Sequence, residues 1–178
     1  DKLIDLKKNS KWKLNNEWFN KNKKEKKNWI NKTLDDLNKE TEETKKNGGK
    51  IHPLQLALDV QEVLTENDWL VIDGGNTHFW SEIAINIAGS KGKKLGGILH
   101  PGTFSMLGVG VPFAVSAKNL NPKSNVVLIS GDGAFLSGGL SIEAAFQEKK
   151  PIVVVIDNNG GLDCISPVSY THLRAHET

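Results

Sequence analysis

Cysteine is almost absent from this chain. Cys164 is the only one in 178 residues, so no internal disulfide can form. A lone thiol fits a reducing compartment, and a cytoplasmic location is the expectation. No apolar run approaches the ~20 residues of a membrane-spanning helix, so no membrane partner is expected. The start is charged and rich in Asn, without a signal-peptide pattern. Methionine also occurs once, at Met106, and the first residue is Asp1, which implies that the natural start lies upstream. Proline is missing from residues 1–50 altogether.

What is present is unevenly spread. Residues 1–50 hold 15 Lys against 9 acidic residues, whereas residues 51–178 hold 8 basic against 12 acidic. A basic segment can be the footprint of nucleic-acid binding. Here the lysines are interleaved with Asn and Glu, and no recognition motif accompanies them. The segment reads as a solvated surface, with no nucleic-acid partner. Apolar residues recur at partly helical spacing: Leu3, Ile4 and Leu6, then Trp12, Leu14, Trp18 and Phe19, then Trp29, Ile30, Leu34 and Leu37. Rings such as Trp12, Trp18 and Trp29 need somewhere to pack, which argues against plain disorder. Residues 1–50 are therefore expected to be helices that belong to the end of a preceding domain or to its connector, with Asn47-Gly48-Gly49 marking the boundary.

Beyond that boundary the text becomes α/β. Pro53 opens a helix carrying Leu56, Val60, Val63 and Leu64, expected to end near Glu66-Asn67. Trp69 to Ile72 is a buried strand ending in Asp73-Gly74-Gly75-Asn76-Thr77-His78, and Phe79, Ile83 and Ile87 predict a helix starting near His78. Leu95 to Pro112 leads into a small-residue helix at Phe113–Lys118.

The stretch from Val126 to Gly161 organises the rest. Val126 to Ser130 and Ile152 to Ile156 are short β-branched runs, the pattern of strands buried on both faces. Between them lie Gly131-Asp132-Gly133, a turn whose glycines let a ligand approach the backbone. A segment follows with Ile142, Ala145 and Phe146 on one face and Glu143, Gln147 and Glu148 largely on the other, an amphipathic helix. The second strand ends in Asp157-Asn158-Asn159-Gly160-Gly161. Open parallel sheets place ligands at such carboxyl ends. Asp132 offers a carboxylate and Asn159 an amide oxygen, hard donors suited to Mg²⁺ at roughly 2.1 Å. Backbone N–H groups at the helix start after Gly133 suit a phosphate. Together these predict a Mg²⁺-diphosphate site.

Gly131-Asp132-Gly133, then 24 residues, then Asn158-Asn159 resembles the cofactor motif of thiamine-diphosphate-dependent enzymes. The resemblance implies a parallel sheet with helices on both faces, the thiamine-diphosphate-binding fold, preceded by a helical connector. It implies Asp132, Asn159 and the Gly161 carbonyl as metal ligands, and Gly133 and Ala134 as backbone donors to the diphosphate. An ordinary dinucleotide-binding unit is the plainer alternative, but Leu136 stands where its third glycine belongs. Aligned on Trp80, Asn76 and Thr77 after Gly75 occupy the diphosphate-contacting places of acetolactate-synthase-like members. This Asn-Thr pair resembles the oxalyl-CoA decarboxylase and 2-hydroxyacyl-CoA lyase branch. Asn76 as a plain helix cap is compatible with either. The family pattern also puts Leu107 beneath the cofactor as the wedge that bends it, and the Ser105 carbonyl against the aminopyrimidine. Met106 and Leu107 as simple core residues are the alternative. The roles of His78 and His100 stay open.

The resemblance implies thiamine diphosphate and Mg²⁺ as cofactors, and carboligation, decarboxylation or lysis of a 2-keto acid or acyl-CoA substrate. It also implies a homodimer or homotetramer. The activating glutamate of such enzymes lies in another domain that no segment here matches, and Glu143 reads as structural. No catalytic residue is therefore assigned, and the chain alone is expected to be inactive. A non-catalytic cofactor-binding or regulatory relative is the competing reading. Residues 51–167 are assigned to the pyrophosphate-binding domain, truncated at its C-terminal end. The tail Val168 to Thr178 looks like a translated sequencing adaptor, and its His172, His176 and Glu177, attractive as a metal pair, are set aside with it.

Overall fold

The computed structural model describes residues 15–162 and residue 164. Its contacts divide the chain into two compact units, Asp1–Gly48 and Gly49–Thr178. Leu3, Ile4, Leu6, Trp12, Leu14 and the tail from Val168 onward lie outside the described residues.

Among the described residues the first unit contains helix α1 (Asn16–Lys46), of 31 residues. Asn15 caps it by accepting the Trp18 N–H at 2.9 Å, and no proline interrupts it. Glu17 in the first turn and Lys45 and Lys46 in the last complement the helix dipole. Ile30 and Leu37 are buried and Leu34 partly so, as the stripe predicts. Trp18, Phe19 and Trp29 are exposed instead of packed.

The second unit is a four-stranded parallel sheet with helices on both faces. Helix α2 (Pro53–Val63) begins with proline at its first position, and His52 Nδ1 accepts the Leu54 N–H at 3.1 Å. It stops short of the expected end. Asp68 Oδ2 accepts both the Thr65 N–H and its hydroxyl at 2.8 Å, which turns the chain toward the first strand. The buried face is Leu54, Ala57, Val60, Gln61 and Leu64, so Val63 points to solvent at 75% exposure.

Strand β1 (Trp69–Asp73) leads to helix α3 (Asn76–Ser90), which starts two residues before His78. Strand β2 (Gly97–Leu99), unforeseen in the sequence, runs alongside β1. Helix α4 (Gly110–Leu120) is followed by strand β3 (Val126–Gly131). The segment between β3 and β4 (Val153–Asp157) is not one amphipathic helix. It divides into α5 (Asp132–Gly138), a 3₁₀ turn at Gly139–Ser141 and α6 (Ile142–Gln147). The break falls at Gly138-Gly139, the residue type least favoured inside a helix after proline. Only Ala145 of the expected apolar face is buried; Ile142 and Phe146 are exposed.

The strand order is β2-β1-β3-β4, every pair parallel. Successive side chains alternate between faces. Val71, Val126 and Leu128 pack with Val111, Ala114, Val115 and Ala117 of α4 and Ala145 of α6. Leu70, Ile72, Val127 and Ile129 point to the opposite face, and α3 buries Ala84 and Ile87. From β1 the chain moves outward to β2 and then returns to the other side of β1 as β3. The carboxyl ends of β1 and β3 are therefore a topological switch point, where a crevice opens.

Candidate cofactor site

Asp73 ends β1 on the same face as Val71, so its side chain meets the start of α4. Its Oδ2 accepts the N–H of Gly108 at 3.0 Å and that of Gly110 at 2.7 Å. A carboxylate against a helix N-terminus satisfies donors that the helix cannot. Burial pushes the Asp73 pKa up, and the hydrogen bonds from Gly110, Gly108 and Gly74 and the nearby His78 only partly oppose it. The contact requires glycine at 110: a Cβ there would lie 2.7 Å from both Asp73 Cβ and Leu128 Cδ1. Ser105 to Leu107, immediately before this clasp, are thereby held over the end of β1.

Gly74 follows Asp73 with φ of 120°, and a Cβ there would sit 3.1 Å from the Gly131 backbone nitrogen. Only glycine adopts this conformation readily, and it brings the β1 and β3 ends together. Thr77, buried in the first turn of α3, reaches the β4 end by donating its hydroxyl to Asp157 Oδ2 at 3.0 Å. Asp132 makes the next link. Its Oδ1 accepts the Gly133 N–H at 2.7 Å and its Oδ2 the Gly160 N–H at 3.1 Å. Asn159 Oδ1 in turn accepts the Gly161 N–H at 3.1 Å.

These links enclose a cavity of about 210 Å³. The β1 end contributes Gly75, Asn76 and Thr77, the loop before α4 contributes Ser105 and Leu107, and the β3 end contributes Gly131, Asp132, Gly133 and Ala134. Asn159 and Gly161 close it from the β4 end. All the candidate cofactor and metal residues thus meet at one crevice, although they come from four separate segments. Leu107 lines the cavity, and neighbouring Met106 is exposed outside it. His78 and His100 do not line it; their rings face each other with centroids 4.8 Å apart.

Three participants were not foreseen. Asp73 and Asp157 have no sequence signal beyond an acid at a strand end. Cys164, which the sequence marked only as a lone thiol, lines the cavity and donates to Asn76 Oδ1 at 2.7 Å.

Fold and cavity define an α/β domain with a crevice at the carboxyl edge of a parallel sheet. Residues 73–176 match the family described as thiamine pyrophosphate enzyme, C-terminal TPP binding domain. The chain belongs to that family. The match runs through part of the tail set aside above. Among curated proteins, the chain is 33% identical over 116 residues to human (Homo sapiens) 2-hydroxyacyl-CoA lyase 2, which is 65% of this chain and 18% of that protein. It is 28% identical over 116 residues to the catabolic acetolactate synthase of Raoultella terrigena, 65% of this chain and 20% of the synthase. It is 34% identical over 105 residues to oxalyl-CoA decarboxylase of Escherichia coli strain K12, 58% of this chain and 18% of the decarboxylase. The chain spans only about a fifth of the length of these relatives. Among the described residues no helix is long and apolar enough to cross a membrane.

Proposed function

We propose that this domain binds thiamine diphosphate through Mg²⁺, as part of a larger enzyme that cleaves, decarboxylates or ligates 2-keto acid or 2-hydroxyacyl-CoA substrates. The observation that carries the reading is the Asp132–Gly160 hydrogen bond, 3.1 Å long. It brings a carboxylate from one strand end against the loop that holds Asn159 and the Gly161 carbonyl from another. The donor set fits the ion. Two side-chain oxygens and one backbone oxygen are hard ligands, and Mg²⁺ leaves its other positions to water and diphosphate oxygens. Asp132 Oδ2 keeps a second lone pair while it accepts the Gly160 N–H, so the link to the Asn159 loop survives ligation.

The chain's own residues divide the work. Asp132, Asn159 and Gly161 hold the cation, and Ala134 N–H, in the first turn of α5, faces the diphosphate. Gly133 N–H joins it once Asp132 Oδ1 turns to the metal. Gly75 gives room for close approach, and Asn76 and Thr77 contact the diphosphate from the β1 side. Leu107 supports the cofactor from below, with the Ser105 carbonyl as an acceptor beside it. Bound thiamine diphosphate supplies a thiazolium carbon that attacks a carbonyl. The glutamate that activates it belongs to another domain, so activity is expected of the homo-oligomeric parent enzyme in the cytoplasm and not of this chain.

Calorimetric titration of the chain with thiamine diphosphate tests the reading. Affinity that requires Mg²⁺, disappears with chelator and disappears in Asp132→Ala is the expected result. Affinity indifferent to both overturns it.

A further inference from the structure

We propose that His78, Glu82 and His100 form a site for one divalent cation of the zinc class, separate from the cofactor crevice. His78 and Glu82 lie at i and i+4 on α3, so both side chains project from one face of the helix. His100 comes from the end of β2, the edge strand next to β1. One ligand atom from each of the three lies within 4.8 Å of the other two. His78 Nε2 and Glu82 Oε1 are 3.1 Å apart, close to the ~3.3 Å expected between two ligands held about 2.0–2.1 Å from a tetrahedral zinc. The remaining gap closes by side-chain rotation.

The state of His78 points to a ligand. Its Nε2 is buried yet makes no hydrogen bond, although buried polar atoms are normally satisfied. A surface ion pair with Glu82 would leave that nitrogen in solvent and aligned with the carboxylate. Here the nitrogen is buried, Glu82 Oε1 sits 3.1 Å away without making a hydrogen bond to it, and the His100 ring lies with its centroid 4.8 Å from that of His78. Two imidazoles beside one carboxylate favour zinc-class ions over Mg²⁺, which prefers an all-oxygen set. Room for a water as fourth ligand exists beside the cluster, in a cavity of about 340 Å³ that Glu82 and His100 line with Ile72 and Ile98.

His100 has to change its bonding. Its Nδ1 accepts the Gly102 N–H at 3.2 Å, so in the neutral ring the proton sits on Nε2. To ligate through Nε2, that proton moves to Nδ1 and the Gly102 hydrogen bond is released. Ligation through Nδ1 releases the same bond. Either way the cation competes with one backbone hydrogen bond, which limits its affinity but does not prevent binding.

The test is calorimetric titration of the 178-residue chain with Zn²⁺ in saturating Mg²⁺, with His172→Ala and His176→Ala introduced to remove the tail imidazoles. One Zn²⁺ per chain is expected, with affinity falling roughly tenfold or more in His100→Ala and in Glu82→Gln and unchanged in Asp132→Ala. Substitution by Co²⁺ in the chain with native His78, Glu82 and His100 gives a readout that needs no variant of the site. Two paramagnetically shifted imidazole N–H signals are expected in its proton NMR spectrum. Absence of saturable Zn²⁺ binding overturns the proposal, as does absence of those signals. Affinity insensitive to His100→Ala and Glu82→Gln, or lost in Asp132→Ala, overturns it equally, since the ion would then sit elsewhere.

Discussion

Thr77 and Asp157 stand 80 positions apart in the sequence, and the Thr77 hydroxyl donates to Asp157 Oδ2 at 3.0 Å. The bond spans β3, tying the helix that leaves β1 to the end of β4. It also fixes Thr77 in the cavity wall. Thr77→Val keeps the shape and removes the donor. A charge-assisted bond of this kind contributes about 1.5–3 kcal/mol, and Asp157 is only partly buried, so the expected loss is about 1–2 kcal/mol. Urea unfolding of the two proteins measures it. Thiamine diphosphate affinity should fall as well, because the crevice loses the tie between two of its walls.

The Asp73 clasp makes a second prediction. Its carboxylate serves two amides at once, at Gly108 and Gly110. Asp73→Ala leaves the buried Gly110 N–H without a partner, and a loss of about 2–3 kcal/mol is expected. Asp73→Asn keeps one acceptor oxygen and should cost less. If Ser105 and Leu107 meet the cofactor as proposed, both variants also weaken its binding, in the same order. Equal stability of the Ala and Asn variants in urea unfolding would show that the amides do not depend on Asp73.

How far the sequence could be read follows from which signals are local. The β1, β3 and β4 runs are apolar and β-branched, so each announced itself; β2 is three residues, Gly-Ile-Leu, too short to stand out. The continuous helix expected after Gly133 failed at Gly138-Gly139, because the periodicity of Ile142, Ala145 and Phe146 says which residues would share a face, not whether a neighbour covers it. That Asp132 and Asn159 meet at one crevice was legible because each closely follows a strand of one β-α-β unit. The partners of Asp73 and Asp157 lie 35 to 80 positions away, and no short pattern encodes such a pairing.

Two buried acids make opposite contributions to acid stability. Burial pushes Asp68 up, but hydrogen bonds from Thr65 and Asn125 outweigh it and hold its pKa below 3.8. A depressed folded pKa gives stability that is present above the unfolded value and lost as pH falls through the folded one. Asp73, raised above 3.8 by burial, has the reverse sign: its contribution is present at low pH and lost as pH rises through its folded value. Asp68→Asn should therefore flatten the rise of unfolding free energy with pH between about pH 2 and pH 6, and Asp73→Asn should steepen it. Urea midpoints across that range decide it, and slopes moving in the same direction would contradict the assignment.

Gly110→Ala separates backbone geometry from hydrogen bonding at the same place. Helix propensity alone favours alanine over glycine inside a helix by about 1 kcal/mol. Against that, the new methyl would meet Asp73 Cβ and Leu128 Cδ1 at 2.7 Å. Leu128 is a fully buried member of β3 and cannot swing away; Asp73 can move only by breaking its bonds to α4. Overpacking of a tight core typically costs about 1–3 kcal/mol, so the net expectation is destabilisation by about 1–2 kcal/mol despite the better helix former. A second substitution distinguishes the cause. Leu128→Val relieves one of the two contacts and, combined with Gly110→Ala, should cost less than the sum of the single changes, because neighbouring sites that share a clash are not additive. Strict additivity in a double-mutant cycle would mean that the α4 start shifts as a body instead of pressing on β3.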